Sequence, residues 1–399
     1  MSGILIVGDL HLDKGLSIGK PSTGLGLNSR IQDKYNLLDW VLEQCIALNV
    51  TLLIFTGDIY ENTQPDYAVT DRFIQWCKAC QSYNIDIAII VGNHDFVRSG
   101  LNYFSPLNLL NSAEIENVTV YNNITNIYHN NIGITLMPFR DKKSLECQTI
   151  PQAVSKLQDM FTWANQEIPS HYTKVMVGHL AIEGSLFVGD EVDDLANEIM
   201  CPISLFHNYD YVWMGHIHKP QVLNKKPYVA HVGSLDISDF GEVDHKKVAI
   251  HLDANQPQFY QELPLPCRPL RKIKVIIPEQ EDPTPFVLDE IEKLSVSNSF
   301  KHAIVKVEIQ LNSTGINVNR SEINKKLSEL GVFHICNFTE TRVSVVVPEE
   351  KRKKIDNTIE PQLAVKLFIE SEAFVNETSE DKQEIYNMCL DIIKEYHWE

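Results

Sequence analysis

The chain has 399 residues, 44% hydrophobic and 22% charged, the balance of a soluble globular enzyme and too long for one ordinary domain. Against 53 Asp and Glu stand 35 Lys and Arg, and the net charge of -18 argues against a protein that coats nucleic acid through its bulk field. Metal ions and local basic loops can still hold phosphates on an acidic surface, so an enzyme acting on DNA stays open.

The first β-rich run is Gly3–Val7, at the very start, so no signal peptide is expected. Further strands are expected at Thr51–Phe55, Asp86–Val91, Ile132–Met137, Lys174–Val177 and Tyr211–Met214, with helical patterns at Asp33–Leu48 and Val69–Ser82 between them. The order predicts an α/β fold, layered sheets flanked by helices, over residues 1–265. Three prolines in Leu263–Pro269 mark a joint. After it, Lys272–Ile277, Thr284–Leu294, His302–Leu311, Arg320–Leu330 and Val332–Val347 read as strand, helix, strand, helix, strand, a second small α/β domain over residues 266–348. The remainder, 349–399, is charged and helical, with amphipathic candidates at Ile359–Glu370 and Asp381–Tyr396. Its apolar stripes fit either folding back on the small domain or docking onto a partner. Eight scattered cysteines form no framework, which points to a reducing compartment, and Cys77-x-x-Cys80 reads as ordinary helix. No apolar run is long enough to span a bilayer, so no membrane role and a cytoplasmic location are expected.

Five short blocks carry the chemistry: Gly8-Asp-Leu-His11, Gly57-Asp-Ile-Tyr-Glu61, Gly92-Asn-His-Asp95, Gly178-His179 and Gly215-His-Ile-His218. Each follows a β-rich run and opens on glycine, which lets backbone turn sharply beside an ion. Carboxylate, imidazole and amide oxygen suit hard-to-borderline divalent cations, and no thiolate joins them. A lone Asp-x-His is most often a turn; all five blocks in order, each after a strand, are not explained that way.

Taken together the blocks resemble the calcineurin-like metallophosphoesterase superfamily. Gly57-Asp-Ile-Tyr-Glu-Asn-Thr-Gln-Pro-Asp-Tyr67, Gly215-His-Ile-His-Lys-Pro220 leading to Val232-Gly-Ser234, and the small domain after Arg268-Pro-Leu-Arg271 are similar, within it, to the SbcD or Mre-eleven type of DNA nuclease subunit of bacteria and phages. The resemblance implies two divalent metal ions, usually manganese: Asp9, His11 and His218 on one, Asn93, His179 and His216 on the other, and Asp58 bridging. Such paired ions sit about 3.5–4 Å apart and serve an in-line displacement at phosphorus. His94 would face the scissile phosphate and help the leaving oxygen depart. Where archaeal and eukaryotic members carry a histidine three residues after the bridging Asp, this chain has Glu61, expected to orient His94, with Asp95 as second candidate.

The same resemblance implies hydrolysis of phosphodiesters at DNA ends, an SbcC-type coiled-coil ATPase as partner, docking of that ATPase on the C-terminal helices, and self-association as a homodimer. Two other functions stay open: a hydrolase of cyclic nucleotides or small phosphate esters, and an idle DNA-end scaffold for the ATPase. The Gly-rich insert from Lys14 to Arg30 could grip a DNA backbone through Lys14, Lys20 and Arg30, or be a surface loop. His231, just before Val232-Gly-Ser234, is a candidate for touching substrate.

Overall fold

In the computed structural model, Gly3–Val7 is the centre of a six-stranded sheet whose order is Tyr260–Pro264, Val248–Asp253, Gly3–Val7, Val50–Phe55, Asp86–Ile90 and Val118–Tyr121. A second six-stranded sheet runs Gln221–Lys225, Tyr228–His231, Tyr211–Met214, Thr173–Gly178, Ile132–Met137 and Thr125–His129. The described residues are 2–21, 27–99, 102–113, 115–187, 198–254, 256, 260–277, 282–297, 299–311, 317–342, 365–366, 368–369 and 379–395.

Strand side chains alternate between faces, and here both faces of each sheet are covered, so the strands read as unbroken apolar runs. Ile4 and Ile6 point into a core shared by the two sheets, with Ile54, Ile90, Ile134, Leu136, Val177 and Trp213. Leu5 and Val7 point the other way, against helices α1 (Ser29–Ala47) and α2 (Tyr67–Gln81), among Leu38, Val41, Phe73 and Trp76. The second sheet's outer face takes Leu157 and Phe161 of a longer helix (Ile150–Glu167) whose Thr149 and Gln152 form a reciprocal capping box. The layers are therefore helix, sheet, sheet, helix.

Helix α1 starts at Ser29, four residues before the expected Asp33, because the Asn28 side chain accepts from the Arg30 N–H and caps it. In both sheets the central strands are parallel and end in register, Val7 beside Phe55 and Met214 beside both Gly178 and His231. Their carboxyl ends thus deliver the loops that follow them to one edge, where open α/β sheets place their sites.

The small module has strands Leu270–Ile277, Ile304–Leu311 and His334–Arg342, with helices Thr284–Ser297 and Arg320–Glu329 packed on one face around Ile273, Val305, Val307, Ile291 and Leu327. It belongs to one compact unit with the two sheets, Met1–Thr341. The other unit is Arg342–Glu399, in which a helix spans Ser379–Glu395. The end of the expected strand Val332–Val347 and most of the expected helix Ile359–Glu370 lie outside the described residues. Among the described residues no helix is long and apolar enough to cross a membrane.

Candidate metal centre

All five blocks converge. Asp9 and His11 follow the strand Gly3–Val7, Asp58 follows Val50–Phe55, and Asn93 and His94 follow Asp86–Ile90. His179 follows Thr173–Gly178, and His216 and His218 follow Tyr211–Met214. Asp9, Asp58 and the four histidines His11, His179, His216 and His218 are all buried. His11, Asp58 and His216 adopt left-handed backbone with φ of 43°, 49° and 79°. Non-glycine residues rarely do so, and such strain persists where surrounding bonds fix it, as at functional sites. Gly57 has φ of 124° and lies so near the His179 ring that any side chain there would collide with it.

Among the described residues three side-chain groups emerge; His11, Glu61 and His94 form one, and two others form the centre. Asp9, His11 and His218 place ligand atoms within 4.8 Å of one another, and so do Asp58, His179 and His216. Asn93 joins the second group: its Oδ1 lies 2.8 Å from His179 Nε2 and 3.0 Å from His216 Nδ1. Asp58 sits between them, with Oδ2 3.2 Å from His179 Nε2 and 3.6 Å from His11 Nε2. Its other oxygen accepts the His94 backbone N–H at 2.9 Å. Asp9 is held by the Thr56 hydroxyl at 3.0 Å and the His216 backbone N–H at 2.7 Å.

The outward nitrogens decide what the inward ones can do. His11 Nδ1 faces the Glu61 carboxylate at 2.7 Å, and His218 Nδ1 faces Glu242 at 3.0 Å. His216 Nε2 faces Glu198 at 2.5 Å, and His179 Nδ1 faces the Thr56 carbonyl at 3.0 Å. Each partner is an acceptor, so each outward nitrogen carries the proton and each inward nitrogen presents a lone pair. Two such lone pairs, on His11 Nε2 and His218 Nε2, are 3.1 Å apart. Neutral imidazoles in that arrangement repel unless a cation lies between them. The donor set therefore fits divalent metal ions.

Electrostatics agrees. Burial alone would lower the His179 pKa, but Asp58 and Asp9 push it up to about 10. A field that would hold a proton there also favours a divalent cation. Burial, then Asp58, pushes Asp95 up to about 7, while burial holds His11 down at about 4, in the neutral form a ligand needs. Burial would raise Glu61, yet its bond with His11 draws it down to about 2.

His94 is half-buried beside the groups, its ring edge-on to His11 at 5.1 Å. Its Nδ1 lies 3.0 Å from the Glu61 backbone carbonyl. Expected to orient His94 through its carboxylate, Glu61 instead does so through its main chain, because its carboxylate is engaged by His11 and lies 3.5 Å from Lys14 Nζ. Asp95, the second candidate, is turned away: it accepts the backbone N–H groups of Ile59, Tyr60 and Gly92 and ties the second and third loops together.

The expected DNA grip is also corrected in part. Arg30 is fully buried, pairing with Asp33 at 2.6 Å and with Asp236, so it cannot reach a phosphate. Lys20 is exposed, and Lys14 lies at the rim beside Glu61. His231 is buried behind the centre, bonded to the Gly215 carbonyl and Ser185 Oγ, both at 3.0 Å, so it supports the last metal loop instead of facing substrate. Glu198 and Glu242 are site residues the sequence reading misses: neither lies in a block, and only the imidazoles they face reveal them.

Residues 3–220 match the family model for calcineurin-like phosphoesterases. The SbcD component of nuclease SbcCD from Staphylococcus epidermidis is 25% identical over 265 residues, covering 63% of this chain and 67% of that protein. The component of the same name from Staphylococcus saprophyticus is 23% identical over 291 residues, covering 70% of this chain and 72% of that protein. A dimetal phosphatase from Danio rerio superposes over 62% of this chain and 91% of its own, with 12% identity and a TM-score of 0.38. The family match spans more than half of the sequence, and the chain belongs to the calcineurin-like phosphoesterases.

Proposed function

We propose that the protein is a manganese-dependent nuclease that hydrolyses phosphodiester bonds at DNA ends, working with an SbcC-type coiled-coil ATPase in DNA repair or recombination. One ion is assigned to Asp9, His11 and His218, the other to Asn93, His179 and His216, with Asp58 on both. The observation that carries the assignment is the convergence of four imidazole lone pairs whose outward nitrogens all face acceptors. Similarity to two proteins named as the SbcD component of nuclease SbcCD supports the substrate and partner.

When bound, the ions polarise a phosphate and lower the pKa of a water. The protein's share is orientation. Asp58 and Asp9 are fixed by backbone N–H donors, so the carboxylates cannot swing as charge shifts. His94 donates through Nδ1 to the Glu61 carbonyl, which leaves Nε2 to protonate or stabilise the leaving oxygen. Contact with DNA falls to local cations such as Lys14 and Lys20 and to the small module, since the net charge of -18 repels a polyanion. We assign residues 1–265 to the nuclease domain, 266–348 to a capping and DNA-binding domain and 349–399 to ATPase docking, and place the active form as a homodimer in the cytoplasm.

The test is incubation with end-labelled duplex DNA and manganese, with and without the ATPase, beside a small phosphodiester. End-dependent release of nucleotides that chelation stops is the expected result. Hydrolysis of the small ester alone would assign the protein to small substrates, and DNA binding without cleavage would make it a scaffold.

A further inference from the structure

A lysine with no exposure lies one helical turn beyond Arg30 on α1. Lys34 has 0% of its surface accessible, and among the described residues its single hydrogen bond runs from Nζ to the backbone carbonyl of His11. Burying an ammonium group costs several kcal/mol unless it is well paired, and here one carbonyl and the field of Asp236 only partly offset the burial. What that carbonyl belongs to matters more. His11 is left-handed, at φ of 43°, and its main chain is pinned on both sides: its N–H donates to the Asp58 carbonyl at 2.8 Å, and its C=O accepts from Lys34 and from the Lys14 N–H at 2.9 Å. A histidine in that conformation aims its ring by its backbone, because the ring has only two side-chain torsions to adjust.

Helix α1 is itself anchored on the same side. Arg30 donates to Asp33 and Asp236 and to the Ile237 carbonyl at 2.8 Å. Asp33 in turn takes a two-point grip from Arg268 at 2.6 and 2.8 Å. Arg268 also donates to the His302 carbonyl at 3.0 Å and stacks on Phe333 with its guanidinium carbon 4.0 Å from the ring centre. A continuous ladder thus runs from the small module, through α1, to the main chain of one metal-facing histidine. No comparable cation reaches the backbone of His179 or His216 among the described residues.

We infer that Lys34 is a positioning residue that sets His11, and with it the ion of Asp9, His11 and His218, while Arg30, Asp33 and Arg268 hold α1 at the depth this requires. The inference rests on the two-ion assignment above. It distinguishes the two ions: perturbing the ladder weakens one and spares the other.

The experiment is manganese titration of the full chain by calorimetry, with electron paramagnetic resonance to tell a coupled ion pair from isolated ions. Wild-type protein binds two ions and gives a coupled spectrum; uptake of fewer than two would overturn the two-ion assignment itself. Lys34→Met keeps length and removes the charge. It keeps one ion at wild-type affinity, weakens the other at least tenfold, matches the titration of His218→Ala, and shows isolated-ion spectra at sub-saturating manganese. Wild-type affinity at both ions, or equal loss at both, overturns the inference. If Lys34→Met lacks the native circular-dichroism spectrum, Arg268→Ala carries the test, since its guanidinium is part-exposed and its contacts are Asp33, His302 and Phe333, none of them an assigned ligand. About threefold weakening of the same ion alone supports the ladder, and unchanged or evenly reduced affinities refute it.

Discussion

Replacing Glu242 by glutamine tests the lone-pair argument at one atom. Glu242 Oε1 faces His218 Nδ1 at 3.0 Å, while Oε2 takes Lys247 Nζ at 3.0 Å and the Ser238 N–H at 3.2 Å. Both oxygens thus accept, and the His218 bond together with Lys247 holds the carboxyl far below the usual range although burial opposes it. An amide can accept on only one side. If its oxygen stays on His218, its NH₂ confronts two donors, Lys247 and Ser238. If it flips, the NH₂ meets His218 Nδ1 and drives the imidazole proton to Nε2, the nitrogen we assign to the ion. Outer partners of metal-bound histidines are typically worth about 10–100-fold in metal affinity, or about 1.4–2.7 kcal/mol. Breaking a buried pair typically costs about 3–5 kcal/mol of stability. The lower end applies here, because Lys247 keeps the His218 carbonyl at 2.8 Å and Ser234 Oγ at 2.7 Å. Calorimetric manganese titration and a chelator-treated thermal melt separate the two effects. One ion weakened at least tenfold, beside a second left as in wild type, is expected. A Glu242→Gln protein that binds both ions within twofold of wild type would show that the His218 tautomer is not set by this carboxylate.

Asp58→Asn removes the carboxylate shared by the two groups and should abolish uptake of both ions and nearly all hydrolysis, measured by metal content and duplex cleavage; near-normal manganese-dependent turnover would sink the bridging role. His94→Ser should keep both ions while kcat falls by about 10²–10⁴, the usual worth of a general acid, and loss of an ion would mean that His94 is a ligand. Cys45, Cys77, Cys80 and Cys201 are buried free thiols, and burial raises the pKa of each, to about 12 for Cys45 and Cys201. Thiol reagents at pH 8 should label these four only after denaturation, read by mass spectrometry; native labelling of Cys77 or Cys80 would contradict the packing of α2.

The convergence of the five blocks was legible because each of their proposed metal-facing residues sits one to four positions past a strand whose apolar run is plain in the sequence. Asp9 follows Gly3–Val7, and His216 follows Tyr211–Met214; a parallel strand's carboxyl end and a glycine suffice to forecast the place. The fold was legible for the same reason, since the strands found at Gly3–Val7, Ile132–Met137 and Tyr211–Met214 have the expected bounds. What escaped notice depends on distances along the chain that no local pattern encodes. Glu242 meets a histidine 24 positions away, and Arg30 meets Asp236 across 206. Arg30 was misread because a Gly-rich stretch precedes it and basic residues in such a stretch are usually solvated; the Asn28 cap turned the chain into helix first and swung the guanidinium inward.

Glu61 shows how a residue can be placed in sequence without the atom that makes its contact. Spacing after Asp58 put it beside His94, and it is beside His94, but sequence cannot say whether main chain or side chain makes the contact. The carboxylate went to His11, where a protonated outward nitrogen and an ion on the inward one would reinforce each other under the proposed assignment. The carbonyl was left for His94, a neutral acceptor that fixes the tautomer and adds less charge than a carboxylate would. That division follows from the two tasks. Under the proposed roles, a ligand gains from a basic partner because the ion repays the added electron density, whereas a group that gives up a proton at Nε2 would have its acidity weakened by a full negative charge on the other side of the ring.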